Sequence, residues 1–326
     1  MDGAGNSPTI EILLATCNGA RHLPAQLDSL LGQSLRDFTV LVSDDGSSDD
    51  TGAVLERYAA AHPGFLTILP APDQRLGASS NFGRLLDVAR ADYVAFCDQD
   101  DVWQPDKLEA SLQLMRVTEA EAGPGIPVLV HTDLAVVDAE LCELGPSFWN
   151  YVGIDPQRRG FGDLLLGNIA TGCTLLANRA LYEAARPVPL FALMFDFWLA
   201  QVAAGLGGIV SLDQPTVLYR QHPGNLIGAQ RTGSASFLAR VRRTLLSDRT
   251  LKVLASFSRH AAELEQRYGE RLSPTHHAQA QALAGVWRLP VYRRYAALRR
   301  AGLRKPNFAA NVAMALLLLR RGRPVR

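Results

Sequence analysis

The sequence lacks the two glycine cradles that most often hold nucleotide phosphates. No G-x-G-x-x-G follows its first strand candidate, and no G-x-x-x-x-G-K-[ST] occurs anywhere. A dinucleotide fingerprint and a P-loop are thereby excluded, and a metal is left as the way to manage phosphate charge. H-E-x-x-H is also absent. Cysteine is scarce: Cys17, Cys97, Cys142 and Cys173 stand far apart with no CxxC pair. Neither a zinc knuckle nor a disulfide framework is suggested, and each is expected to be a small buried hydrophobe. Long apolar runs are missing too. Val312–Leu319, with Phe308–Ala310 just before it, is far short of the roughly 20 residues that cross a bilayer. Met1–Pro8 has no basic region followed by an apolar one, so a cytoplasmic location is expected.

What is present is a full-sized apolar complement, 48% of 326 residues, enough for one large α/β domain and an appendage. Charge is divided sharply along the chain. Residues 231–326 hold 20 of the 33 Lys and Arg but only 4 of the 32 Asp and Glu, a net +16 against −15 ahead of them. Short apolar runs at Ile10–Ala15, Phe38–Ser43, Phe65–Leu69 and Tyr93–Cys97 alternate with helix-like stretches at His22–Gly32, Thr51–Ala61, Ser79–Ala91 and Pro105–Val117. This order predicts an α/β fold, a mostly parallel central sheet flanked by helices. Further strands are expected at Val128–Val137, Thr171–Ala177 and Pro215–Tyr219, and helical pieces near Phe161–Leu166 and Phe195–Ala204. A boundary near residue 230 separates an α/β domain, 1–230, from a basic helical region, 231–326.

Ligands of such sheets bind beyond the carboxyl ends of the strands. Here those ends are polar: Thr16 to Asn18, Asp44 to Ser48, and Asp98 to Asp101. Tyr93–Cys97 runs into Asp98-Gln99-Asp100-Asp101. In an extended segment Asp98 and Asp100 point the same way and suit one hard cation that also touches a diphosphate. Read alone, the same residues also suit a solvated turn capping the next helix. Asp44 can accept the imide N–H of uracil or thymine, and is equally a residue of an Asx turn. Asp196, set among Phe195, Phe197 and Trp198, suits a general base or a helix cap. Arg220 and His222 close the last strand candidate, where His222 is a third metal ligand, both residues contact phosphate, or both belong to a surface turn.

Taken together, ATCNG, SDDGS, RLGASSNF, FCDQDDVW, GCTLLANRAL, FDFW and YRQH, in this order over about residues 10–228, resemble the inverting family 2 glycosyltransferases. FDFW followed by YRQH is similar to the bacterial branch that builds O-antigen and other surface polysaccharides and contains many rhamnosyltransferases. The resemblance implies a nucleotide-binding sheet of the GT-A type and a donor of the UDP- or dTDP-sugar class, carrying rhamnose or another hexose. It implies a nucleotide-sugar site drawn from Thr16, Asn18, Asp44, Asp45, Arg75, Asn81, Asp98 and Gln99. Mg²⁺ or Mn²⁺ would sit on Asp98 and Asp100 with His222, and Asp196 would be the catalytic base. Phe195 departs from the pattern, standing where an acid or histidine often precedes that base. The implied acceptor is a glycan or a lipid-linked sugar, with no nucleic-acid partner. A sugar nucleotidyltransferase is a rival reading, but it usually carries a glycine-rich basic loop where Ala15–Gly19 stands. A non-catalytic scaffold need not keep Asp98, Asp100 and Asp196.

The basic region interleaves arginines with apolar stretches at Ser236–Leu246, Val286–Leu303 and Phe308–Leu319, followed by Arg320, Arg321, Arg323 and Arg326. Such helices can lie in an anionic membrane interface on its cytoplasmic side. They can equally pack on the catalytic domain or join a homodimer.

Overall fold

The computed structural model describes residues 9–222 and 248–320. The segment Ser236–Leu246 and the terminal Arg321, Arg323 and Arg326 lie outside the described residues.

Strands β1 (Ile10–Thr16), β2 (Phe38–Asp44), β3 (Leu66–Ile68) and β4 (Tyr93–Asp98) lie parallel in the spatial order β3-β2-β1-β4. Successive side chains alternate between two apolar clusters. In β1, Leu13 enters one cluster while Ile12 and Leu14 enter the other; in β4, Phe96 and Val94 oppose Ala95 and Cys97. A strand covered on both faces has no position to leave polar, so these segments read as continuous apolar runs. Helices α1 (Leu23–Leu31), α2 (Thr51–Ala61) and α4 (Lys107–Ala122) cover one face, and α3 (Ala78–Val88) begins the cover of the other.

Beyond β4 the strand direction becomes mixed. β8 (Leu176–Asn178) runs antiparallel to β4 and to β6 (Val128–Val137), and β6 pairs in parallel with β9 (Gly208–Arg220). The short β5 (Val102–Trp103) and β7 (Glu143–Gly145) pair antiparallel with β9 and β6. Most of the paired length is parallel, as expected.

Two expectations need correction in detail. Of Thr171–Ala177 only the end is strand, because Gly172–Thr174 forms a 3₁₀ turn ahead of β8. Pro215–Tyr219 is the last part of a 13-residue strand. The register against β6 jumps from Leu212 to Pro215, leaving Asp213 and Gln214 as a bulge. That break admits a proline with no N–H into a strand and hides its first half from a reading by local pattern.

α5 (Phe148–Val152) sets Phe148 against the first face, and the second is completed by α6 (Phe161–Leu164), α7 (Arg179–Ala185), α8 (Phe195–Leu206) and the C-terminal helices α9 (Asp248–Tyr268), α10 (Pro274–Ala284), α11 (Val291–Arg300) and α12 (Phe308–Leu318). In α9, Leu254, Phe257, Ala261, Leu264 and Tyr268 recur at spacings of three and four, a single stripe. That stripe joins the cluster containing Trp198, Leu199 and Val202 of α8. Buried His260 links them: its Nδ1 lies 2.9 Å from Gln201 Oε1, its Nε2 accepts the Leu193 N–H, and Gln201 donates to Leu164 O. Burial holds His260 down to about 4. A neutral ring with one donor and one acceptor nitrogen fits both bonds. Among the described residues, no helix is long and apolar enough to cross a membrane.

Because the tail shares this cluster, Phe257→Ala, at a site 4% exposed, should cost about 3–5 kcal/mol. Denaturant unfolding followed by tryptophan fluorescence should show the whole transition moving, since Trp198 lies in the same cluster. A midpoint equal to that of the parent would show that the tail contributes nothing to this core.

Candidate active site

The parallel register sets the site. Thr16 aligns with Asp44 and Ala15 with Asp98, so the loops after β1, β2 and β4 emerge side by side. Thr16 Oγ1 donates to Asp44 Oδ1 at 2.8 Å, and the Ser47 N–H and hydroxyl donate to the same carboxylate at 2.8 and 2.6 Å. Asn18, at φ 52°, accepts the Ser48 N–H at 2.7 Å and donates its own N–H to Ser47 Oγ. Left-handed backbone suits asparagine better than most residues. Gln99 clamps the first loop to the β4 loop: Oε1 accepts the Cys17 N–H at 2.8 Å and Nε2 donates to Cys17 O at 3.0 Å. A Cβ on Gly19 would lie 2.2 Å from Gln99 Oε1, so the clamp requires that glycine.

Asp45 turns inward. It is 5% exposed and accepts the N–H groups of Leu76 and Gly77 at 2.6 and 2.8 Å, tying down the start of α3. Buried Asn81 donates to Ser43 O. Arg75 is exposed and reaches across to Gly46 O at 2.9 Å. Asp44, Asn18 and Arg75 therefore border the opening, while Asp45, Asn81 and Gln99 brace its frame.

The acidic half lies beyond β4. Burial, then the carboxylates of Asp100 and Asp196, push Asp98 up to about 7. Asp98, Asp100 and Asp196, separated by up to 98 positions in the chain, are thus close enough to act on one another's charge. His222 Nε2 stands 2.9 Å from Asp100 Oδ2. Arg220 Nε donates to Asp100 O at 2.8 Å and its backbone N–H to Asp101 Oδ1 at 3.1 Å, so the end of β9 straps the acidic loop.

Asp196 is the second residue of α8, whose cap is Met194. Its carboxylate accepts the Phe197 N–H at 2.7 Å, and burial pushes it up to about 7 against backbone donors that include Gly172. Phe195, the departure from the family pattern, is an aromatic wedge. Its ring centroid lies 4.2 Å from Phe82 and 4.8 Å from Phe96, and a Cβ on Gly172 would sit 2.8 Å from its Cζ. The wedge fixes the first turn of α8 and with it the carboxylate.

Residues 11–128 match the glycosyl transferase family 2 model. The chain carries a family 2 glycosyltransferase domain. It is 29% identical over 245 residues to the dTDP-rhamnosyl transferase RfbG of Shigella flexneri, covering 71% of this chain and 77% of that one. The mannosyltransferase PcManGT of Pyrobaculum calidifontis, solved with GDP-Man and Mn²⁺, shares the fold at a TM-score of 0.53 and 20% identity, over 97% of this chain and 82% of its own. S. aureus TarS 1-349 with UDP-GlcNAc gives 0.54 at 14% identity, over 95% and 90%. The fold is therefore of the GT-A type, and the protein is a glycosyltransferase.

The donor set present here suits a divalent cation: oxygens from Asp98 and Asp100, with an imidazole beside Asp100. Mutual repulsion of the acids, which raises Asp98, is what a cation relieves. Two participants escaped sequence reading. Cys173, expected to be a mere hydrophobe, is buried with its Sγ among Asp98 and Asp101, ligand atoms of all three lying within 4.8 Å of one another. His22 stacks on His222 with ring centroids 4.9 Å apart. The GCTLLANRAL motif marked the position of Cys173 without saying which strand end it would meet, and no motif marked His22.

The raised Asp196 has a consequence for stability. Below about pH 4 it is protonated in folded and unfolded chains alike. Between pH 4 and 7 the unfolded chain releases a proton that the folded chain keeps, so folding loses stability as pH rises, and above about 7 the full cost is present. In chelator, Asp196→Asn should melt higher than the parent, by a margin that grows from pH 4 to 7 and then levels. A margin independent of pH would show that this carboxyl is not desolvated.

Proposed function

We propose that the enzyme transfers rhamnose or another hexose from a dTDP- or UDP-sugar to a hydroxyl of a glycan or lipid-linked acceptor in surface polysaccharide synthesis, with inversion at the anomeric carbon. The observation that carries this reading is the convergence of Asp98, Asp100 and Asp196 at the carboxyl edge of the sheet. The relative named as a dTDP-rhamnosyl transferase supports the donor class.

In this reading Asp44 accepts the imide N–H of the pyrimidine. Its carboxylate has about four lone-pair sites and already takes three hydrogen bonds, so one remains, held in a fixed direction. Thr16 and Asn18 shape that subsite, and Arg75 faces the phosphates. Asp98 and Asp100, with His222, would hold Mg²⁺ or Mn²⁺, which would supply positive charge to offset that developing on the diphosphate leaving group. Asp196, in its carboxylate form, takes the proton of the attacking acceptor hydroxyl on the face opposite the leaving group. Burial suits it to that task, because a base works best with a pKa near the working pH. Residues 1–230 form the catalytic domain and 231–326 the tail.

Asp100→Asn should abolish sugar transfer and weaken Mn²⁺ binding measured by paramagnetic resonance, with little change in melting temperature. Asp196→Asn should bind donor normally and turn over about 10²–10⁴ more slowly. Full transfer by Asp100→Asn in chelator would end the metal reading, and unimpaired turnover by Asp196→Asn would end the base assignment.

The tail has an outward face as well as a packed one. In α12, Phe308 (78% exposed), Val312, Leu316 and Leu319 form one apolar stripe on the solvent side. In α11, Tyr292, Arg293, Arg299 and Arg300 are exposed. Apolar anchors beside arginines favour peripheral attachment to an anionic membrane. The protein should sediment with anionic liposomes at low salt and be released at high salt, and Phe308→Ser with Leu319→Ser should weaken retention. Equal recovery of parent and variant in the supernatant at low salt would refute attachment.

A further inference from the structure

A pocket of about 320 Å³ opens between residues 158–163 and the C-terminal helices. It is remote from the acidic cluster. Phe161, in its wall, packs on Gly205 at the end of α8, nine residues after Asp196, or about 13 Å along the helix. Its volume is at the small end of the roughly 300–1,000 Å³ typical of ligand pockets.

The lining joins positive charge to hydrogen-bond acceptors. Arg158, Arg304 and His276 face it, and Asp163 is the carboxylate among the lining residues. Arg158 pairs with Asp163, which holds the guanidinium against the wall. Half-buried Lys305 lies close behind: it donates to Leu166 O, and desolvation followed by the charge of Arg158 holds its ammonium down to about 8. Gln279 also lines the pocket, and its Oε1 is buried without a hydrogen-bond partner. The close approach of its amide depends on Gly162, where a Cβ would lie 2.9 Å from Nε2. A buried acceptor lacking a donor is costly, and a ligand hydroxyl would supply one. Guanidinium groups bind phosphate oxygens through paired charge-assisted hydrogen bonds.

We propose that this pocket binds a phosphate ester of a small polyol, with the phosphate between Arg158 and Arg304 and a hydroxyl donating to Gln279. The ligand is either a soluble polyol phosphate or the phosphoglycerol head group of a lipid. Since the walls come from both the catalytic unit and the tail, occupancy also ties the two together.

The test is calorimetric titration of the full chain with sn-glycerol 3-phosphate in chelator, which keeps phosphate from binding through a metal at the donor site. Saturable binding is expected, with weaker binding of inorganic phosphate and none of glycerol. Arg304→Gln, at an exposed position where folding is not at stake, should weaken binding at least about tenfold. Gln279→Leu should weaken glycerol 3-phosphate but not inorganic phosphate. Vesicles of phosphatidylglycerol separate the sources. Release of vesicle-bound protein by glycerol 3-phosphate, lost in Arg304→Gln, identifies the lipid head group; binding of glycerol 3-phosphate without such release identifies a soluble ligand. If neither probe binds, or Arg304→Gln binds as the parent does, the proposal is wrong.

Discussion

Crowding of like charge in a desolvated sheet edge is the constraint around which the rest of the molecule is arranged. Asp98, Asp100, Asp101 and Asp196 meet where water is scarce, and burial with mutual repulsion raises Asp98 and Asp101 above the ordinary carboxylate range. An arrangement of that kind opposes folding, so it persists only where surrounding structure over-determines it. Arg220 supplies a strap across the loop, backbone N–H groups solvate Asp196, and Gln99 locks the neighbouring turn. A cation or a proton would relieve the same crowding, which is why it suits the metal and base roles proposed for these residues.

Rigidity behind the edge comes from apolar contact. The Phe82–Phe96–Phe195 stack joins α3, β4 and α8, so the helix that carries Asp196 is registered against the strand that ends in Asp98. Its far end is held by the tail through Gln201, His260 and the stripe of α9. The tail is thereby both part of the core and the carrier of an exposed basic surface. Packing of one face of these helices is compatible with the membrane attachment proposed for the other, because a helix presents different residues on opposite sides.

The first four strands, with helices α1 to α4, were legible because each is a local pattern ended by a turn signal, and their order imposes a parallel sheet. The places of the acidic motif after β4 and of Asp44 at the end of β2 were legible for the same reason, since a strand end in an α/β sheet is a place as well as a sequence. The later strands were less so. β8 is three residues long and β9 is broken by a bulge, so what makes them strands is the partner beside them rather than their own period.

The sequence alone determined which residues can do chemistry and that Asp44 and Asp98 share one edge, because alternation of apolar segments decides strand direction. It also determined the division of charge between front and tail. Only the tertiary structure decided that Asp45 faces inward to α3 while Asp44 faces the opening, that Phe195 is a wedge, and that Cys173 and His22 join the acidic edge. These outcomes depend on contacts between segments 31 to 200 positions apart. Side-chain direction at a turn is set by whichever distant donor or ring arrives to meet it, and no local pattern encodes that arrival.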